Sequence, residues 1–340
     1  MSVLPAELLV PQAMPLSPHT IRTAHARIAP HIHRTPLMGS ALLDDWLGHE
    51  VNFKVEGFQK GGAFKIRGAM NALLGLQEEG KLPREVVAFS SGNHAQAVAM
   101  AAKMLGVRAT VIMPRFVSKV KQQATISYGA ELLLTDTRRQ AEIVAGEKVA
   151  QGAHLLHPSA DDRVIAGQGT ACLEALEDCG RPDAIFATCG GGGLLSGTWL
   201  AAQLLAPEAL VFGAEPLMAN DAARSCREGH IVSFDDSPMT IADGARTLHI
   251  SEITFAYLRR LAGFYEVSEE EIIYWTQWLN HLLKVVVEPT SAVAMAAAFQ
   301  WLKTQKSKRR VLVILSGGNV DAESYRKIWA KDYLSHPLRV

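Results

Sequence analysis

Lys65 is the residue of this sequence best placed to act as a nucleophile. It follows Gly61 and Gly62 and stands between Phe64 and Ile66. Apolar neighbours keep water from an amine, which lowers its pKa and leaves more of it in the neutral, nucleophilic form. Taken alone, the pattern also suits an ordinary surface lysine. The interpretation therefore depends on what other segments bring to the site.

A run of four glycines, residues 190–193, follows a β-rich segment and precedes a helical one that begins near Leu194. Backbone N–H groups without side chains in front of them, at the start of a helix, suit a phosphate. The run lacks the Lys-Ser/Thr of a P-loop and the spacing of a dinucleotide-binding loop, so a single phosphate monoester fits better than ATP or NAD. A tight turn that needs small residues for packing is the alternative.

The elements that must position these residues alternate along the chain. Short β-rich runs at 86–90, 110–113, 132–134, 184–187, 211–214 and 311–315 are separated by helical segments such as 95–105 and 194–205. Near-continuous apolar strands between amphipathic helices predict an α/β fold with mostly parallel sheets covered on both faces. Two more loops of small polar residues, 90–94 and 316–319, also follow predicted strands. Ligands of such sheets bind where these loops converge.

Composition excludes several classes of protein. The 340 residues carry 34 Lys+Arg and 34 Asp+Glu, so there is no net charge to hold a nucleic acid or an anionic membrane. No stretch is apolar for the ~18 residues that a membrane span needs, and residues 1–17 lack the basic start of a signal peptide. The 4 cysteines form no C-x-x-C pair, and the paired histidines have no companion ligands. We expect a cytoplasmic protein.

Seven segments together carry a family resemblance. In order they are 63–69 (AFKIRGA), 90–96 (SSGNHAQ), 190–193 (GGGG), 213–216 (GAEP), 240–244 (TIADG), 287–290 (VEPT) and 315–319 (LSGGN). The chain resembles the pyridoxal-phosphate (PLP) enzymes of the tryptophan-synthase-β fold type, and most of all their serine/threonine dehydratase and serine racemase branch, from about Ile21 to Asp321.

The resemblance implies two doubly wound α/β domains. Residues 1–60 and 161–340 would form a large PLP-binding domain, residues 61–84 a connecting region with the cofactor lysine, and residues 85–160 a small mobile domain that closes over the substrate. It also implies a homodimer. We expect the regulatory domain of the biosynthetic threonine deaminases to be absent.

Roles for individual residues come from the same resemblance. Lys65 would hold PLP as a Schiff base and then act as the base at the substrate Cα, and Ser91 would face the opposite side of that carbon. The remaining cofactor-binding residues would be Asn93 at the ring hydroxyl, Gly190, Gly191, Gly192, Gly193 and Leu194 at the phosphate, and Ser316 at the ring nitrogen. The substrate carboxylate would bind at Ser90, Ser91, Asn93 and His94.

A cation site is implied as well. Glu215, Ala219 and Asp221 match the position at which members of this branch bind a divalent cation, Mg²⁺ or Ca²⁺, through two carboxylates and a carbonyl. An acidic pair at a helix start is the alternative interpretation. Glu288 would support the site from behind, although a Glu-Pro-Thr turn can also be purely structural.

Three positions depart from the family pattern. Ala63 replaces the usual serine two residues before the lysine, and Ser159 replaces an aromatic residue or an asparagine and could widen the substrate side of the pocket. Residues 115–118 lack the usual Ala-Pro. Arg138 and Arg139 begin a predicted helix in the small domain, where an arginine could pair with a second substrate carboxylate; solvation of a helix start is the alternative.

The leading expectation is elimination of water from threonine, serine or 3-hydroxyaspartate, which gives a 2-oxo acid and ammonia. A serine or aspartate racemase with side dehydratase activity is one alternative, since both activities need Lys65 and Ser91. Another is PLP-dependent β-replacement. A non-catalytic PLP-binding scaffold fits less well, because Lys65, Ser91, Asn93 and Ser316 are all present.

Overall fold

The chain folds around two sheets. The computed structural model describes residues 16–90, 92–115 and 119–335, without the side chains of Val120, Lys121 and Arg138. Within these ranges, a six-stranded sheet has the order β1-β2-β10-β7-β8-β9 and a four-stranded sheet the order β5-β4-β3-β6. The strands are β1 (Leu37–Met38), β2 (Glu50–Val55), β3 (Glu85–Phe89), β4 (Arg108–Pro114), β5 (Glu131–Thr135), β6 (His154–Leu155), β7 (Ala184–Thr188), β8 (Leu210–Pro216), β9 (Gly263–Val267) and β10 (Arg310–Leu315).

Both sheets are almost wholly parallel, as predicted. In the six-stranded sheet only β1 runs antiparallel, to β2, and each pairing of the four-stranded sheet is parallel. Strand β10 shows why: Val311, Leu312, Val313, Ile314 and Leu315 are all buried, so both faces must be covered.

Helices cover both faces. They are α1 (Thr20–Ile28), α2 (Ala41–Leu47), α3 (Lys65–Glu78), α4 (Asn93–Met104), α5 (Lys119–Ser127), α6 (Arg138–Ala150), α7 (Asp162–Cys179), α8 (Gly193–Leu205), α9 (Asp221–Glu228), α10 (Glu252–Leu258), α11 (Glu269–Leu283), α12 (Pro289–Leu302) and α13 (Ala322–Ile328). Local sequence sets several starts: Asp161 caps α7, and Thr137 with Gln140 forms a capping box on α6.

The core lies on each side of the larger sheet and continues into the smaller one. One face packs against α11 and α12, where Phe186, Phe212, Tyr265 and Trp301 form a cluster of rings with neighbouring centroids 5.2–6.3 Å apart. The other face packs against α7 and α8, and α3 and α4 cover the four-stranded sheet. Among the described residues no helix is long and apolar enough to cross a membrane.

The predicted strands and helices agree with the structure to within a few residues, but β1, β2, β6 and β9 were not foreseen. Strand β2 escapes recognition because Lys54 interrupts its apolar run. The four-stranded sheet takes its strands from residues 85–155, which falls inside the predicted small domain. The domain limits and the closing movement stay predictions.

Candidate active site

The three loops singled out in the sequence all lie at carboxyl ends of strands. The glycine run follows β7, Ser90 follows β3, and Ser316 follows β10. Lys65 is the first residue of α3, and the segment before it is tied to the Ser316 loop: the Phe64 N–H donates to the Ser316 carbonyl at 3.0 Å, and Ala63 bridges to Gly317. The chain therefore brings the lysine to the strand ends, where parallel sheets bind ligands.

The Lys65 amine is held in a partly buried setting. It donates to the Pro158 carbonyl at 3.1 Å and lies 4.9 Å from the centre of the Phe64 ring. Burial lowers the pKa of this amine to about 8, against the attraction of the Glu288 carboxylate, which raises it. An amine with such a pKa is partly neutral near neutral pH, so it can act as a nucleophile and as a base.

Two histidines flank the lysine, and both are neutral. Burial, followed by the positive charge of Lys65, lowers the pKa of His94 to about 3 and that of His157 to about 4. His94 Nε2 lies 2.8 Å from the Leu156 carbonyl. His157 Nδ1 accepts the N–H groups of Ser159 and Ala160 at 3.2 and 2.7 Å, so the proton of its neutral ring is on Nε2.

The glycine loop is built so that only glycine fits. A Cβ on Gly190 would lie 2.8 Å from the Gly244 carbonyl oxygen, and one on Gly191 would overlap the Ser159 hydroxyl. Gly192 has φ +85° and opens α8, whose first residue is Gly193. The turn therefore has a conformation and close contacts that side chains would not allow, and it leaves backbone N–H groups at the start of a thirteen-residue helix. Leu194 is buried behind it.

Asn93 is fixed from both ends of its side chain. Its Nδ2 donates to the Glu288 carboxylate at 3.2 and 3.1 Å, and its Oδ1 accepts from Asn319 Nδ2 at 2.9 Å. Asn319 also donates its backbone N–H to Glu288 and its side-chain amide to Gly61. Glu288 thus orients the residue predicted to contact the cofactor ring.

Ser316 is buried at the end of β10. Its hydroxyl lies 3.1 Å from that of Ser291, which donates to the Gly317 carbonyl and accepts the Gly317 N–H, both at 2.8 Å. A neutral serine is therefore held at the position predicted to face the cofactor ring nitrogen.

Glu215 and Asp221 lie together between the end of β8 and the start of α9. Glu215 accepts the N–H groups of Ala222 and Ala223 at 3.2 and 2.7 Å, and Asp221 Oδ2 is buried without a donor among the described residues. Burial and the neighbouring Asp221 raise the pKa of Glu215 well above its usual value, and burial raises that of Asp221 to about 7. Ala219 is buried next to them in sequence. In the part of the chain that the structure describes, no group of three His, Cys, Asp or Glu side chains could hold a metal.

A buried ionic cluster under α3 was not foreseen from the sequence. Arg67 pairs with Glu56 at 2.7 and 2.8 Å and with Glu174 at 2.8 Å through two of its nitrogens, and Lys54 donates to Glu174 at 2.6 Å. Burial opposes the charge of Glu174, but His25, Arg67 and Lys54 outweigh it and hold the pKa of this carboxyl well below its usual value. The cluster ties β2, α3 and α7 together, two residues along α3 from Lys65.

Other predicted residues are spread around this centre. Ser90 is half-buried at the end of β3, and its hydroxyl accepts the Gly92 N–H at 3.4 Å. Ser91 lies outside the described residues, so its predicted role stays a prediction. Ser159 lies against the glycine loop. Arg139 is exposed in the first turn of α6.

Pyridoxal phosphate matches what these residues offer. The glycine loop presents backbone N–H groups and leaves no room for side chains. A nucleophilic amine lies near it, and a neutral hydroxyl and an oriented asparagine amide lie at the same strand ends. The fold and the site together define an enzyme of the PLP-dependent class.

Comparison with known proteins agrees. Residues 28–317 match the family described as "Pyridoxal-phosphate dependent enzyme", and the chain belongs to it. L-threo-3-hydroxyaspartate ammonia-lyase of Saccharomyces cerevisiae is 44% identical over 305 residues, covering 89% of this chain and 93% of that protein. Serine racemase of Schizosaccharomyces pombe is 41% identical, covering 90% and 94%. The crystal structure of a threonine deaminase superimposes with a TM-score of 0.84 at 42% identity, covering 90% and 99%.

Proposed function

We propose that this chain is a PLP-dependent ammonia-lyase that eliminates water from a β-hydroxy-α-amino acid and releases a 2-oxo acid and ammonia. The observation that carries the proposal is the Lys65 amine, whose pKa is lowered to about 8 among strand-end loops that suit PLP. Relatives named for ammonia-lyase, racemase and threonine deaminase activity support the same substrate class.

Lys65 would hold the cofactor covalently, Gly190 to Leu194 would hold its phosphate, and Asn93 and Ser316 would face its ring. When bound, PLP supplies an electron sink that makes the Cα–H bond of an amino acid acidic. The neutral Ser316 hydroxyl stabilises a charged ring nitrogen less than a carboxylate would. With Ser316 in that place, the site would suit elimination of a β-substituent better than reactions that need a carboxylate at the ring nitrogen.

Proton transfer would belong to Lys65. Once its amine is free, it can take the proton from the substrate Cα, since burial lowers its pKa to about 8 and leaves part of it neutral near neutral pH. The substrate carboxylate would lie at the start of α4, among Ser90, Ser91, Asn93 and His94, where backbone N–H groups favour an anion.

A racemase is the second candidate function. It needs an acid on the face of Cα opposite Lys65, and Ser91 is our candidate for it. The similarity to serine racemase of Schizosaccharomyces pombe supports this alternative. Because racemisation keeps the β-hydroxyl, the two activities differ in product and not in cofactor.

One experiment separates these functions. The holoenzyme is supplied with the D and L forms of serine, threonine and threo-3-hydroxyaspartate, and both 2-oxo acid release and inversion are measured. Release of oxo acid from the L-β-hydroxy amino acids supports the lyase. Inversion without release would replace it by the racemase, and neither product would overturn both.

A divalent cation, a cytoplasmic location and a homodimer are three further proposals. Two buried carboxylates, one with an oxygen that lacks a donor among the described residues, suit Mg²⁺ or Ca²⁺ at Glu215, Ala219 and Asp221. The four cysteines are free thiols, which supports a reducing, cytoplasmic location. We also propose a homodimer, as the family resemblance implies, which light scattering would test.

A further inference from the structure

Gln168 occupies an unusual position between two parts of the cofactor site. It lies on α7, has no exposed surface, and donates Nε2 to the Pro158 carbonyl at 3.0 Å. This carbonyl is the one that accepts the Lys65 amine at 3.1 Å. One carbonyl oxygen with two lone pairs therefore serves both donors.

The other end of the Gln168 side chain lies against the glycine loop. Its Oε1 is buried and finds no donor among the described residues, and a Cβ on Gly193 would lie 2.5 Å from it. The amide cannot be turned over to satisfy this oxygen, because Oε1 would then face the Pro158 oxygen. A buried acceptor without a donor destabilises the fold, so a structural role alone would favour an apolar residue here.

The Pro158 carbonyl is itself held in place. His157 Nδ1 accepts the N–H groups of Ser159 and Ala160, which closes the turn that presents this carbonyl. A helix contact fixes Gln168 in the same way, because a Cβ on Gly68 of α3 would lie 3.0 Å from Gln168 Cγ. The acceptor of the Lys65 amine is thus supported on both sides.

We propose that Gln168 is a positioning residue that, through the Pro158 carbonyl, holds the Lys65 amine in place while that amine is released from the cofactor. The proposal rests on the role of Lys65 within the proposed function. An incoming amino acid would release this amine: its nitrogen would take over the C=N bond that Nζ makes to the cofactor, and two of its protons would pass to Nζ. The freed amine then needs an acceptor that keeps it beside the substrate Cα, and Pro158 supplies one.

The sharing of one carbonyl has a measurable consequence. Without the Gln168 donor, the Pro158 oxygen is left to Lys65 alone, which stabilises the ammonium form more than the neutral amine. The other groups that face this amine, His94 of α4, His157 after β6 and Glu288 before α12, stay unchanged. The freed amine should therefore titrate at higher pH.

The test is a spectral titration of the holoenzyme with glycine, which displaces Lys65 but has no β-substituent to lose. The apparent Kd is measured from pH 6 to 9 for wild type, Gln168→Met and Gln168→Leu. The titration of glycine itself is common to all proteins and cancels in the comparison. The plot of log Kd against pH changes slope at the pKa of the freed amine, and we call this point the break. We expect the break to move upward by about half a pH unit in both variants, which corresponds to an about threefold change in the ratio of charged to neutral amine.

Gln277→Met is the matched control. Gln277 is also fully buried and donates Nε2 to the main-chain carbonyls of Ile328 and Lys331 at 2.7 Å, away from the site. Its loss should lower stability and leave the break unchanged. If the break stays at its wild-type pH in the Gln168 variants, the inference is wrong, whether or not glycine binds more weakly at every pH. If Gln168→Met does not fold, Gln168→Leu decides on the same criterion. Absence of any spectral response to glycine in wild type would instead contradict the role of Lys65.

Discussion

The Asn93 side chain donates to both oxygens of the Glu288 carboxylate, at 3.2 and 3.1 Å. The same carboxylate raises the pKa of the Lys65 amine, although burial outweighs it. One buried acid therefore orients the residue predicted to contact the cofactor ring and adjusts the amine predicted to carry the cofactor. Its effects on geometry and on titration can be separated by experiment.

Replacing Glu288 should move the pH dependence of turnover. Because the base must be neutral to accept a proton, the rate should rise with pH and level off above about 8, the pKa of the Lys65 amine. Glu288→Gln removes a negative charge that favours the ammonium, so the acid limb of kcat should move down by about one unit. Profiles of kcat against pH for wild type, Glu288→Gln and the exposed Glu252→Gln check this. A limb that stays in place in Glu288→Gln would contradict the assignment of Lys65 as the base.

Removing the amine itself should abolish the reaction. Lys65→Ala loses both the covalent attachment and the base, so turnover should fall by at least about a thousandfold while the far-ultraviolet circular dichroism spectrum stays the same. Lys60→Ala is the control, because Lys60 lies in the same segment but donates to the His31 carbonyl. Eliminase activity above a trace in Lys65→Ala would exclude Lys65 as the essential amine.

Much of this site could be predicted because its signals are local in sequence. The glycine run and the lysine with its apolar neighbours are each readable within a few residues, and the structure places both at strand ends. Gln168 and Glu174 carried no such signal. They lie on a helix whose pattern is ordinary, and their partners, Pro158, Lys54 and Arg67, come from other elements. Only the packing of α3 on α7 brings them together.

The unforeseen ionic cluster should be costly to break. Glu174 compensates two buried cations, Lys54 and Arg67, so Glu174→Ala should lower the free energy of unfolding by about 3–5 kcal/mol. Chemical denaturation measures this loss. Asp178→Ala is the control on the same helix: it removes a partly exposed pair with Arg34 and should cost less than about 1 kcal/mol. Equal losses in the two variants would show that burial does not set the cost.

The cation proposal predicts a response to chelation. If Glu215 and Asp221 hold Mg²⁺ or Ca²⁺, EDTA should lower Tm, because a ligand of the folded state stabilises it by about 2.7 kcal/mol at a hundredfold excess over Kd. Readdition of either cation should restore Tm in wild type. Asp221→Ala should not respond, whereas the exposed Asp236→Asn should behave as wild type. An indifferent wild type would count against a metal at this site.

We expect the positive charge of an arginine beside the four-stranded sheet to influence which substrate is preferred. Arg139 is exposed in the first turn of α6, just beyond the carboxyl end of β5, where an arginine can pair with a second substrate carboxylate. We therefore expect threo-3-hydroxyaspartate to have a higher kcat/KM than serine, and Arg139→Ala to reduce that advantage by about tenfold, mainly through KM. Arg108→Ala is the matched control, because Arg108 is exposed at the opposite end of the same sheet and pairs with Glu85 at 3.2 Å. Serine preferred by wild type and by Arg139→Ala alike would refute the proposal, since the second carboxylate would then have no partner in the closed site.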